Sequence, residues 1–264
     1  MSLNLSDRPV AIVTGAFRGI GRACASGVAK AGFNLLLNDR DNDANRELAP
    51  SIANELEDLG ADSLPVFADV SKLEVHSAML GAAISRWGRV DCLVNNAGVP
   101  ARQRGDLLDV KAESFDECIS VNTRAVFFLT QAVARHMLAQ GDQTHTHRSI
   151  INITSSNVKA VSITRSEYCV SKAATSMITK LFALRLASAG IGVYEVRPGI
   201  IETELTRPAK AIYDKMIGDH CVPAERWGYP ADVASTVVCM AEGRLVYTVG
   251  QAIAVDGGLV IPRF

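Results

Sequence analysis

Seven short apolar runs, at residues 10–14, 34–38, 64–68, 92–95, 149–153, 192–196 and 252–255, recur along this chain at wide intervals. Longer stretches with helical spacing lie between them, roughly at 19–31, 42–59, 72–87, 114–139, 167–189 and 230–242. The runs are continuous in Val, Ile and Leu rather than alternating, which is the pattern of strands covered on both faces. Interleaving helices then demand a parallel sheet, because parallel neighbours need a crossover. Right-handed crossovers wind such a sheet into a Rossmann-type, doubly wound three-layer α/β/α sandwich. With 264 residues, 48% of them hydrophobic, the chain suffices for one large core, and no repeat or linker divides it. Residues 1–264 therefore read as a single domain. Two stretches break the rhythm: the polar loop 140–148, and the segment 202–229, whose length and prolines (Pro208, Pro223) suit a substrate loop or lid.

The balance of charge removes several classes of function. A net charge of −1 argues against nucleic acid as a partner. No apolar run is long enough to cross a bilayer, and the first residues lack the basic and apolar regions of a secretory signal. The six cysteines are scattered singly without any CxxC, as expected for reduced thiols in a cytoplasmic protein. His145 and His147 have no third ligand nearby in the sequence, so no metal site is expected.

Chemistry concentrates at two places. After the first strand, Thr14-Gly15-Ala16-Phe17-Arg18-Gly19-Ile20-Gly21 leads into the first helix. Glycines there permit a tight turn and let backbone N–H groups approach a pyrophosphate, to which the helix N-terminus adds partial positive charge. The spacing is G-x-x-x-G-x-G, distinct from the generic dinucleotide fingerprint. Asp39, at the end of the second strand, suits hydrogen bonding to the ribose hydroxyls of NAD. It would also repel a 2′-phosphate by about 4 kcal/mol per charge pair at ~4 Å and a dielectric of ~20. Arg18 and Arg40 are the residues able to pair with that phosphate, so NAD is expected and NADP remains open. Further along, Tyr168 and Lys172 stand at i and i+4, which places them on one helix face. A tyrosine, ordinarily with a pKa near ~10, becomes a proton-transfer group when a cation favours its phenolate.

Taken in order, Thr14-Gly15…Gly19-Ile20-Gly21, Asn95-Asn96-Ala97-Gly98, Ser155…Tyr168-x-x-x-Lys172, Pro198-Gly199 and Asp256-Gly257-Gly258 resemble a short-chain dehydrogenase/reductase over nearly the whole chain. The resemblance implies one domain, a nicotinamide cofactor, and a homotetramer or homodimer. It implies that Ser155 holds the substrate oxygen, Tyr168 exchanges the proton, and Lys172 lowers the tyrosine pKa while binding the nicotinamide ribose. Asn122 matches the family's fourth member, which kinks the long helix and orders a water reaching Lys172. By the same likeness Asp69 and Val70 contact the adenine, Asn96, Ala97 and Gly98 border the cofactor, and Thr203 in Pro198-Gly199-Ile200-Ile201-Glu202-Thr203 meets the carboxamide.

The reaction so implied moves a hydride between the nicotinamide and a secondary alcohol or ketone, as in 3-oxoacyl-carrier reductases and sugar, polyol or hydroxy-acid dehydrogenases. A catalytically idle nucleotide sensor on the same fold is the alternative, and the complete Asn122/Ser155/Tyr168/Lys172 set speaks against it. An epimerase or dehydratase would need a larger C-terminal substrate domain than the few residues after the final strand. Substrate choice is expected to rest on 99–106, 157–166 and 202–229. In that region Arg102, Arg104, Lys159 and Arg165 suggest an anionic substrate or an acidic carrier, whereas Val158, Val161, Ile163, Leu205, Ile212, Tyr213, Met216 and Trp227 suggest apolar walls.

Overall fold

The computed structural model describes residues 8–140 and 146–263. Seven strands, β1 (Val10–Thr14), β2 (Asn34–Asp39), β3 (Ser63–Phe67), β4 (Cys92–Asn95), β5 (Arg148–Ile153), β6 (Ile191–Pro198) and β7 (Ala252–Val255), form one parallel sheet in the order β3-β2-β1-β4-β5-β6-β7. The order reverses between β1 and β4, which opens a crevice at the carboxyl ends of those strands. Every residue of β1, β4 and β5 is buried, including the polar Thr14, Asn95, Arg148, Ser149 and Asn152. β3 is an edge strand and carries Pro65, whose missing N–H is tolerated there.

Helices α1 (Gly19–Lys30), α2 (Asp43–Asp58) and α8 (Pro230–Ala241) cover one face around a core that includes Val13, Phe17, Leu35, Ile52, Val94, Tyr194 and Val237. On the other face α3 (Glu74–Trp87), α5 (Val126–Gln140) and α6 (Ser166–Leu186) enclose Ile12, Leu36, Met79, Leu93, Val133 and Val193. The three-layer expectation is met.

The sequence pattern differs from the structure in two places. The stretch expected as one helix over 114–139 is α4 (Ala112–Ile119), a π-turn at Ser120–Ala125, and α5. Asn122 supplies the reason: its amide is committed to Val99 and Ser171, and its own carbonyl accepts from Thr175 Oγ1 at 2.5 Å. A carbonyl used outside the ladder leaves the helix one residue wider at that turn. The segment 202–229 contains its own helix, α7 (Lys210–Gly218), and packs Tyr213 and Val222 against Ile200 in a small separate cluster. The polar loop falls partly outside the described residues, as does His145; among the described residues no group of three or more metal-ligating side chains occurs.

Candidate active site

A cleft of about 1240 Å³ runs along the carboxyl ends of the strands. Its nucleotide end is made by backbone. Gly15 and Gly19 have φ of +62° and +50°, the left-handed region that glycine enters without strain. A Cβ on Gly21 would lie 1.9 Å from the Gly15 carbonyl, so the loop closes only around glycine there. Thr14 Oγ1 accepts from the Asn96 and Ala97 amides, both at 3.0 Å, and Asn96 Nδ2 returns bonds to the Thr14 and Gly15 carbonyls. That network locks the β1 and β4 ends together. The first turn of α1 has no side-chain cap on Arg18, so the amides of Gly19, Ile20 and Gly21 are donors without a capping partner. A cradle of this shape and polarity fits a pyrophosphate.

Asp39 lies on the cleft wall with its carboxylate held in place. Oδ1 accepts from the Arg40 amide at 2.8 Å and from Asn45 Nδ2 at 3.1 Å, and Oδ2 accepts from the Phe17 amide at 3.2 Å. Arg40 is exposed on the same rim. Arg18 donates to Asn45 Oδ1 at 2.6 Å and pairs with Glu204 at 3.4 Å, reaching across to the segment beyond β6. Asn45 was not recognised from sequence; its place three residues after the Asn42 N-cap of α2 was the available signal. Asp69 and Val70 line the wall too, with the Asp69 side chain accepting from the Ser71 amide at 2.9 Å.

The chemical end is made by side chains. Ser155 follows β5, and the Thr154 just before it is fixed by the buried Glu195 carboxylate at 2.7 Å, which also accepts from Ser176 and pairs with Arg197. Ser155 Oγ accepts from the Asn157 amide at 3.1 Å and donates to Asn157 Oδ1 at 3.3 Å, and it lines the same cleft as Tyr168. Lys172 Nζ donates to the Ile153 carbonyl at 2.9 Å and lies 5.8 Å from the centroid of the Tyr168 ring. Ser155, Tyr168, Lys172, Pro198, Gly199, Ile201 and Thr203 all line the cleft, as do Asn96, Ala97 and Gly98. Asn122 does not. It is fully buried behind Gly98, where a Cβ would come within 3.1 Å of its Oδ1 and 3.4 Å of Lys172 Nζ.

In the protein alone, burial governs both groups. Desolvation pushes the Tyr168 phenol above its ordinary value, outweighing the nearby Ser155 hydroxyl and the charge of Arg165. Lys172, expected to lower it, is turned toward the Ile153 carbonyl, and burial brings its own ammonium down from 10.5 to about 8.

This architecture has well-defined relatives. A family model described as "Enoyl-(Acyl carrier protein) reductase" matches residues 15–260. The 2-dehydro-3-deoxy-D-gluconate 5-dehydrogenase of Dickeya dadantii is 34% identical over 259 residues, covering 97% of each chain. The crystal structure of a 3-oxoacyl-[acyl-carrier protein] reductase from Brucella melitensis in complex with NAD superposes with a TM-score of 0.93 at 42% identity, covering 100% of both chains. An Agrobacterium tumefaciens dehydrogenase with bound NADP has a TM-score of 0.83 at 30% identity, covering 96% of this chain and 97% of its own. With the glycine loop, the strand-end asparagine and the Ser/Tyr/Lys cluster all placed on one cleft, this chain belongs to the short-chain dehydrogenase/reductase family and is an NAD(P)-dependent oxidoreductase.

Proposed function

We propose that this protein interconverts a small secondary alcohol and its ketone, with Ser155, Tyr168 and Lys172 as the groups at the reacting atoms and Asn122 behind them. The observation that carries the reading is that Ser155, Tyr168 and Lys172 line the same cleft as the glycine loop. When bound, the nicotinamide gives or takes the hydride. Ser155 holds the substrate oxygen, and Tyr168 delivers the proton to it in reduction or removes it in oxidation. Lys172 spends one of its three N–H donors on Ile153, leaving two for the nicotinamide ribose. Asn122 acts as a positioning residue through Val99 and Ser171. A phenol held above its ordinary value keeps its proton to higher pH, so ketone reduction should persist into the alkaline range while alcohol oxidation, which needs the phenolate, should rise only there. The Tyr168→Phe variant tests the assignment: turnover should disappear while NADH fluorescence titrations give nearly the wild-type Kd. Retained turnover would show that the proton passes elsewhere.

NAD is the preferred cofactor in this reading, because the fixed Asp39 carboxylate stands where a 2′-phosphate would meet like charge. Tighter binding of NADPH than NADH would contradict it. Gly15, Gly19, Ile20 and Gly21 hold the pyrophosphate, Asp69 and Val70 the adenine, Asn96, Ala97 and Gly98 the middle of the cofactor, and Pro198, Gly199, Ile201 and Thr203 the nicotinamide. The segment 202–229 acts as the substrate lid, anchored by Tyr213 and by the Arg18–Glu204 pair. Val170, Met177, Leu181 and Leu184 form an exposed apolar row on α6, which supports assembly as a homotetramer or homodimer. Light scattering measures that directly. Six free cysteines fit a reducing, cytoplasmic setting.

A further inference from the structure

The four cations near the substrate end, Arg102, Arg104, Lys159 and Arg165, are not equivalent in the fold. Arg102 is bridged to Glu117 on α4, with Glu113 also acting on it. Lys159 is exposed and is not part of the cleft wall. Arg104 and Arg165 do line the cleft, and among the described residues neither has a carboxylate partner. Arg104 Nη2 donates to the Tyr213 hydroxyl at 2.7 Å, with its guanidinium 5.4 Å from that ring's centroid. Arg165 lies 5.5 Å from the centroid of the Tyr168 ring, and its Nε is a buried donor with no acceptor. The loops bearing the two arginines are tied by a bond from the Gly105 amide to the Thr164 carbonyl at 3.2 Å.

The acids on the cleft wall do not neutralise this pair. Asp39 and Asp69 belong to the nucleotide end, Glu204 pairs with Arg18, Glu113 and Glu117 serve Arg102, and Asp116 is exposed on α4. A buried guanidinium N–H without an acceptor is costly, and a carboxylate relieves a guanidinium best because two oxygens match one edge of the fork. The Tyr213 hydroxyl accepts from Arg104 and so keeps its own proton to donate.

We propose that the substrate carries a carboxylate a few bonds from the reacting carbon, and that Arg165, assisted by Arg104 and the Tyr213 hydroxyl, is the seat for it. The class of substrate is then a small hydroxy or keto acid rather than a neutral thioester on a carrier. This rests on the dehydrogenase reading of the same cleft.

The test uses matched probes: D-gluconate against D-glucitol with NAD, and acetoacetate against acetoacetyl-N-acetylcysteamine with NADH. The carboxylate member of each pair should be favoured by ~10- to 100-fold in kcat/KM, the range of a charge-assisted hydrogen bond. Arg165→Met and Arg104→Gln should each shrink that ratio, and Arg165→Lys should keep more of it than Arg165→Met. Malonate, which has nothing to reduce, gives a readout independent of turnover: calorimetry on the enzyme–NADH complex should show binding weakened ~10-fold or more in Arg165→Met, with an unchanged melting temperature confirming the fold. A wild-type preference for the neutral member, above all for the thioester, would overturn the proposal in favour of a carrier-bound substrate. So would ratios and malonate affinity unmoved in all three variants. Failure of the dehydrogenase reading looks different: no probe would turn over, whether charged or neutral, while the malonate affinities still report on the arginines.

Discussion

At the nucleotide end of the cleft backbone and short side chains are locked together with no spare room: a Cβ on Gly21 meets a carbonyl at 1.9 Å, and one on Gly15 meets Asn96 Nδ2 at 2.9 Å. At the substrate end the contacts run between side chains from distant segments. Arg104 reaches Tyr213, and Val161, Leu205 and Ile212 stay exposed at 87%, 56% and 52%. Rigid backbone suits a ligand whose phosphates never change, and adaptable side chains suit the part of the site that distinguishes substrates. A side chain added in the first region meets a steric limit, whereas Val161, Leu205 and Ile212 in the second lie outside the buried core.

The contrast can be broken most forcefully at Gly21. Gly21→Ala must displace the Gly15 carbonyl, a cost of about 3 kcal/mol at the upper range for overpacking, so NADH affinity should fall about 100-fold in a fluorescence titration. Wild-type affinity would mean that the loop has more freedom than its contacts indicate.

Asp39 comes next. Asp39→Ser removes the charge facing a 2′-phosphate; if even a third of the ~4 kcal/mol Coulomb cost survives screening, kcat/KM for NADPH should gain about 10-fold. An unchanged NADPH/NADH ratio would place the discrimination at Arg18 or Arg40.

Lys172→Met separates function from stability at the junction of the two regions. Below pH 8 the ammonium is charged in both the folded and unfolded states, and its burial penalises the fold. Between about 8 and the ordinary 10.5 the folded protein sheds that proton first, so wild-type stability gains on the variant by about 1.4 kcal/mol per pH unit. Urea titrations across that range should therefore show the stability advantage of Lys172→Met, largest at neutral pH, shrinking as pH rises. The buried thiols of Cys24 and Cys92, raised to about 12, act in both proteins alike and cancel in the difference. A difference that does not change with pH would show that the folded ammonium is well solvated.

The smallest effect is expected at Ile212. Ile212→Ala exposes no core, so stability should stay within about 0.5 kcal/mol, and only KM should move. A large loss of stability would mean that the lid carries more of the fold than its exposure suggests.

The backbone-built half was legible in the sequence because its signals are local. A strand run, three glycines and a helix pattern occupy one continuous stretch, and each strand-end residue from Asp39 to Thr203 could be placed by its distance from an apolar run. The kink at Ser120–Ala125 was legible only through the family resemblance of Asn122 and not from periodicity, because the widening depends on Thr175 and Ser171 arriving from α6. Asn45 was missed because its importance comes from Arg18 and Asp39, residues on two other elements.

By itself, then, the sequence determined the parallel sheet, its glycine cradle, and the residue types for proton transfer, since periodicity and short spacings encode them directly. Only the tertiary structure decided the electrostatic state of those groups. It raised the Tyr168 phenol and lowered the Lys172 ammonium through desolvation, and it sorted four similar cations into neutralised, solvated and unpaired. Charge and burial depend on neighbours that are close in space and remote in sequence, and no local pattern in a chain records them.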